Sequence, residues 1–264
     1  MRVILDFSWN HTGTQFWAFQ DIIKNGKDSK YKSWFEIKTF DNTETKENEF
    51  DYDGWFGIKS LPEIKKERHT EKVLGHAFEG NIPDTIKQHI FDVCKRWMDP
   101  NNDGNVADGI DGMRLDVAEH VPLGFWRDLR KHVRNINPDF YLVGENWWTK
   151  WPDELMDPRP WVQGDVFDAV MHYHWYKPTR AYINQGDDKI NLQDLYSQLD
   201  TLYSSYKPST QRSMMNLVSS HDSDRVLSAM ANSNKYKYLC KPSENKNYYT
   251  GKPDELAYKK LKLL

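Results

Sequence analysis

The sequence predicts an α/β fold of the TIM (β/α)8 barrel type, and three observations predict it. Short apolar segments alternate with helical stretches, as parallel βαβ units do. Four predicted strands end in polar groups: Asp6/Asn10/His11, Arg114/Asp116, Glu145 and His221/Asp222. Functional groups at the carboxyl ends of successive parallel strands mark a barrel. The series also lacks hairpin signals and a Gly-rich phosphate loop. An open doubly wound sheet is the alternative, but it would gather its site at one switch point rather than under every strand.

The first strand is the apolar run Val3 to Phe7. A polar, aromatic-rich excursion follows from Thr12 to about Gly75, carrying Tyr31, Trp34, Phe35, Tyr52, Trp55 and Phe56. A loop of that length is usually functional or a small subdomain. Residues 12–75 are therefore expected to form a loop-rich subdomain inserted in one domain spanning residues 1–264. Asn81-Ile82-Pro83-Asp84 reads as a capped helix start, with Ile86, Ile90, Val93, Cys94 and Trp97 on one face. Gly112 to Asp116 is the next strand, followed by a helix through Phe125, Leu129 and Val133. Phe140 to Glu145 and Val166 to Met171 are two more strands, with a helix from Leu192 to Tyr203. Met215 to Ser219 is the last clear strand, and the stretch from Ala231 to Gly251 is polar and uninformative.

Composition narrows the function classes. A net charge of −3 gives no reason to expect nucleic acid, which would call for a basic patch. Hydrophobic residues are only 38% of the chain, yet it holds 11 Trp. That imbalance suggests surface or cleft aromatics, whose flat faces suit sugar rings; rigid packing is the plain alternative. There is no run of roughly 18 apolar residues to span a membrane, and Met1 leads straight into the first strand rather than a signal peptide. The only cysteines, Cys94 and Cys240, build neither a disulfide framework nor a metal-type spacing. Cys94 reads as an inert core thiol.

Four segments, in order, resemble the four sequence regions of the α-amylase family of glycoside hydrolases. They are Asp6-Phe7-Ser8-Trp9-Asn10-His11, Gly112-Met113-Arg114-Leu115-Asp116, Gly144-Glu145-Asn146-Trp147 and Ser219-Ser220-His221-Asp222. Leu61-Pro62-Glu63 is similar to a fifth, short family motif. The run Trp161 to Met171 resembles the neopullulanase and cyclomaltodextrinase branch in particular. Each motif is weak alone; their order and strand-like spacing are specific together. Two departures stand out: Glu119-His120 where many amylases carry Lys-His, and Ser219-Ser220 where many carry Glu-Asn.

The resemblance implies a retaining hydrolase of α-1,4, and in part α-1,6, glucosidic bonds in starch-type glucans, maltooligosaccharides or cyclodextrins. Such enzymes need two carboxyl groups about 5–5.5 Å apart across the scissile bond. By resemblance Asp116 is the nucleophile, Glu145 the general acid/base and Asp222 the third carboxylate. His11, Arg114 and His221 are implied to line the sugar site, with Asn10 and Trp147 as further contacts; Asp6 and Asn10 would shape the first loop from behind. Arg114 and Asp116 lie two apart on a strand and share a face, so the guanidinium favours an ionised nucleophile. Trp147, Trp148 and neighbouring carboxylates would favour the proton-donating form of Glu145. Asp165, Asp168, His172 and His174 read as wall or structural residues. A transglycosylase would use the same residues, and a truncated, non-catalytic glucan-binding remnant is the reading from another class.

Asp99-Pro100-Asn101-Asn102-Asp103-Gly104 resembles the first half of a calcium loop, with Asp99, Asn101 and Asp103 as ligands. Ile110 stands where the bidentate Glu belongs, and an Asn/Asp/Gly turn is the alternative. No cofactor is required by the chemistry; structural calcium is the one metal considered. Against the family's eight strands, the first segment here resembles the third, and residues 254–261 resemble the seventh helix. The expectation is an incomplete TIM (β/α)8 barrel, a fragment covering the third to seventh strands. The family favours a periplasmic or extracellular location.

Overall fold

The computed structural model describes residues 1–42, 44–151, 154–183, 189–223, 225–232 and 248–264. Its class is α/β with an incomplete parallel sheet and insertions. The chain divides into two compact units: residues 1–146 with 160–168, and residues 147–159 with 169–264.

The first unit is organised by three parallel strands. β1 (Ile4–Phe7), β6 (Gly112–Leu115) and β7 (Tyr141–Gly144) pair in the order β1-β6-β7, with β6 central and buried along its whole length. A central parallel strand covered on both faces must be apolar or tightly packed throughout, and Met113 and Leu115 are fully buried. α2 (Asp84–Met98) and α3 (Leu123–Ile136) pack against each other. The buried stripe of α2 is Ile86, Ile90, Cys94 and Met98, a strict four-residue repeat. Trp97, expected on that face, is instead half exposed, because the repeat from Ile90 reaches Met98 one residue later. The expected cap is also absent: Pro83 precedes α2 with no side-chain cap, and Asn81 instead donates to Asp128 at 2.9 Å. Burial pushes the Cys94 thiol up to about 12, an inert sulfur as expected; Cys240 lies outside the described residues.

The excursion has more regular structure than its composition suggests. It contains α1 (Trp17–Asn25) and an antiparallel ribbon of β2 (Ile37–Thr39) with β3 (Asp51–Tyr52). A second ribbon pairs β4 (Glu67–Arg68) with β5 (Gly80–Asn81). These ribbons carried no hairpin signal because their strands are only two or three residues long. Many aromatics serve packing rather than a cleft. Phe19 meets Phe35 and Tyr52 edge-on at 5.0 and 4.8 Å, and buried Trp34 donates Nε1–H to Thr85.

Two strands are shorter than predicted. Of Val166 to Met171 only β10 (Ala169–Val170) is strand; just before it the Asp168 carboxylate takes Arg130, Arg134 and the Leu142 N–H. Of Met215 to Ser219 only Met215 makes a parallel bridge, to Met171. The chain then turns, with Asn216 N–H donating to the Met214 carbonyl. The Asn216 side chain engages His172 at 2.8 Å.

The second unit also contains the ribbon β8 (Trp148–Lys150) with β9 (Glu154–Leu155), then α4 (Tyr173–Ile183) and α5 (Leu192–Ser204), which pack together. α6 (Pro208–Ser213), α7 (Val226–Ala231) and α8 (Glu255–Leu261) follow. α8 is capped by Asp254, which accepts from Ala257 N–H at 2.7 Å. Ile183, Met230 and Ala257 form a small core there. Most of the polar stretch expected over 231–251, residues 233–247, lies outside the described residues. Among the described residues no helix is long and apolar enough to cross a membrane.

Gly144 ends β7 where no side chain fits: an added Cβ would lie 2.4 Å from the buried Phe167 ring. Gly144→Ala is expected to cost about 1–3 kcal/mol of stability through this overpacking. A denaturation curve superimposable on wild type would show that the ring yields freely.

Candidate active site

The carboxyl ends of the three strands carry the candidate groups. Leu115 pairs with Gly144 in the last bridged step, so one residue further along Asp116 lies beside Glu145. Their backbones are still in the ladder: Asp116 N–H donates to Phe7 and Glu145 N–H to Leu115, both at 2.9 Å. Neighbouring strands lie about 4.8 Å apart. Two carboxylates in register on rigid adjacent strands are therefore close by construction.

Arg114 binds them together. Its Nη1 donates to Asp116 Oδ1 at 2.6 Å and to both oxygens of Asp6, at 2.9 and 3.2 Å. Its Nη2 pairs with Glu145 Oε1 at 2.8 Å. One planar guanidinium touching both carboxylates keeps their nearest oxygens within roughly 8 Å. The Arg114 side chain is only 9% exposed. Burial works against its charge, but Glu145, Asp6 and Asp116 outweigh that and hold it above its ordinary range. Asp6 sits opposite Arg114 in register and is more than a loop-shaping residue.

Glu145 is buried and has charged and polar partners. Within the first unit its partners are the Arg114 guanidinium and the Val117 N–H, which donates to Oε2 at 3.1 Å. Its carbonyl accepts from Ala118 N–H at 3.1 Å. Val117 adopts a left-handed φ of 43°, an unfavourable conformation for a β-branched residue. That turn aims two successive N–H groups at Glu145.

His11 joins the same end of the sheet. It stacks on Trp55 at 5.1 Å and bridges Glu63, the last residue of the Leu61-Pro62-Glu63 motif. Burial lowers its pKa, and the Asp116 carboxylate pulls the other way, so the two groups sense each other. Asn10 is fully buried. Its Oδ1 and carbonyl both accept from Lys66 Nζ, at 2.7 and 3.0 Å, and Lys66 also donates to Glu63. Burial pushes Lys66 down to about 8. Lys66 links the excursion to the first strand's loop; nothing in the sequence singled it out, since a lysine in a polar stretch carries no signal of burial.

Asp222 and His221 belong to the second unit, where they pair with each other at 3.1 Å and are both substantially exposed. Trp147, also in that unit, is buried and stacks face to face on Tyr173 at 4.2 Å, so one ring face is taken. Asp165 pairs with Arg127, and His174 meets the Met156 carbonyl at 2.8 Å. His172 is buried against Asn216, and burial lowers its pKa to about 4.

The candidate calcium residues form a self-contained turn. Asp99 accepts backbone N–H bonds from Asp103 and Gly104, both at 3.0 Å, and Asn101 Oδ1 accepts from Asp103 N–H. Among the described residues no group of three or more His, Cys, Asp or Glu side chains is placed to hold a metal.

The family model for the α-amylase catalytic domain matches residues 1–250. The chain is 31% identical to neopullulanase 2 of Thermoactinomyces vulgaris over 87% of its length and 33% of that protein's. It is 32% identical to a cyclomaltodextrinase of Geobacillus thermopakistaniensis, over 86% of this chain and 33% of that one. The solved cyclic α-maltosyl-(1→6)-maltose hydrolase from Arthrobacter globiformis, in complex with maltose, matches with a TM-score of 0.68 at 30% identity. That match covers 88% of this chain and 45% of the hydrolase. The chain spans about a third of the length of these curated relatives.

Proposed function

Because the chain belongs to the α-amylase family, matched along its catalytic domain, we propose that it carries the reacting carboxylates of a retaining α-glucan hydrolase. The substrates are α-1,4-linked starch-type glucans, maltooligosaccharides or cyclodextrins, with α-1,6 linkages as the second class. The observation that carries this reading is the shared Arg114 guanidinium, which holds Asp116 and Glu145 side by side at the ends of neighbouring strands.

In the first step an Asp116 oxygen bonds to the anomeric carbon while the bond to the leaving oxygen breaks, and Glu145 gives that oxygen its proton. Glu145 then takes a proton from water as the water oxygen attacks the same carbon and frees Asp116. Arg114 orients the Asp116 carboxylate in the resting site through their direct contact. To donate a proton, Glu145 must release its Oε1 contact with Arg114, which substrate binding between the carboxylates would provide. His11 and His221 supply hydrogen bonds to the sugar, and Asp222 takes the family's third-carboxylate role.

The test is the stereochemistry of the first product. Proton NMR of fresh maltooligosaccharide digests is expected to show the α-anomer before mutarotation. Initial release of the β-anomer would mean direct attack by water and would remove the nucleophile role of Asp116.

A further inference from the structure

The turn that holds Glu145 ends in a cluster that the mechanism leaves unused. Glu119 and His120, with 6% and 4% exposure, follow Val117 and Ala118 directly. Lys72, from the loop before β5, contacts His120 Nδ1 at 2.9 Å. An ammonium group has only donors, so Nδ1 accepts and the ring proton sits on Nε2. That nitrogen faces Glu119 Oε1 at 3.6 Å. Burial first, then Lys72, Lys66 and His11, keep His120 well below its ordinary pKa and neutral. Trp55 and Phe56 close over the ring edge-on. Glu119 Oε2 is buried without a hydrogen-bond partner among the described residues.

We propose that Glu119 is a positioning residue: a protonated carboxylic acid at the end of the Lys72–His120 chain, whose proton keeps the 117–120 turn, and so Glu145, in place. The role rests on the catalytic reading of Glu145 given above. A buried carboxylate with one unpartnered oxygen would be costly, and the groups around it make it costlier. Asp116 beyond β6 and Glu145 beyond β7 are like charges. Lys72 touches the cluster directly, at His120, while Arg114 is committed to the two catalytic carboxylates and Asp6. Burial raises the Glu119 carboxyl to about 8, with its own backbone N–H opposing, Glu145 adding, Lys72 opposing and Asp116 adding. Once ionised, Glu119 must move away from Glu145 and Asp116, and the turn donating two N–H groups to Glu145 moves with it. The unfolded chain loses this proton in the ordinary carboxylate range, so stability falls as pH rises from there to about 8.

Glu119→Gln keeps the shape and cannot ionise. Three readings in the protein test the assignment. The alkaline limb of kcat/KM is expected to move up by roughly 0.5–1 pH unit in the variant. The melting temperature of the variant relative to wild type is expected to rise between pH 6 and pH 9. Infrared difference spectra at pH 7 are expected to show a protonated-carboxyl band in wild type that is missing from the variant. Lys72→Met, which removes an opposing cation, is expected to move the alkaline limb in the same direction and serves if Glu119→Gln does not fold. An unmoved alkaline limb in both variants, or no difference band, would overturn the proposal. Absence of glucan hydrolysis at any pH would sink the functional reading instead, and the infrared and melting comparisons would still decide the protonation of Glu119.

Discussion

Asp116→Asn is expected to lower turnover on maltooligosaccharides by about 10⁴-fold or more, as loss of a nucleophile does when nothing else can form the covalent bond. The change is nearly isosteric. The substituted amide would keep an oxygen for the Arg114 Nη1 contact that Asp116 now makes at 2.6 Å, and the side chain is partly exposed rather than core. The stability cost is therefore expected to stay under about 1 kcal/mol, the scale of a partly solvated ion pair. Steady-state rates paired with a urea denaturation curve separate these effects. Turnover within tenfold of wild type, with folding intact, would strip Asp116 of its role. Equal losses of rate and stability would mark it as structural.

Arg114→Met is expected to damage both stability and activity. The guanidinium is buried, and three carboxylates, of Asp6, Asp116 and Glu145, converge on it. Methionine fills much of the stem's volume but leaves those anions facing one another. Removing one partner from a buried ion cluster costs about 3–5 kcal/mol. Because Asp6 is 58% exposed and Asp116 27%, solvent screens part of the repulsion and the lower end of that range applies. The deficit has a pH signature: it is expected to shrink as pH falls through the carboxylate range, since protonation relieves like charges left together. Urea denaturation of wild type and variant at pH 4.5 and pH 8 measures it. A deficit independent of pH would mean that lost packing, not charge, is what Arg114 contributes. Arg114→Lys would not restore function, because a point-like ammonium cannot hold two carboxylates through separate nitrogens of one rigid fork.

Much of this site was legible in the sequence because its logic is local. A strand places residues two apart on one face, so Arg114 and Asp116 were bound to meet. The parallel order of β1, β6 and β7 was readable from short apolar runs separated by helices, and the family motifs marked their carboxyl ends. The length of the excursion likewise announced that it was more than a connection. Limits appeared where one side chain outweighed a pattern. Asp168 and Asn216 each sit at the boundary of a segment that hydrophobicity alone would have extended, their side chains bonded to partners far away in sequence. On α2 two candidate stripes differ by one residue, Trp97 or Met98, and tertiary burial selects Met98.

By itself, then, the sequence determined the fold class through the spacing of short segments, while the resemblance of its motifs pointed to the family and to Asp116 and Glu145 as the candidate carboxylates. Only the tertiary structure decided what surrounds them. It buries Lys66 and Glu119 and half-buries Lys72 beside the site, none of which spacing along the chain could announce. It also gives the Glu145 carboxylate a guanidinium and one backbone N–H, and its carbonyl a second N–H. The physical reason is that burial depends on what the rest of the chain brings to a residue. A charge run is the same string of letters whether water or a turn at φ 43° covers it, yet the free energy of its protons differs between the two.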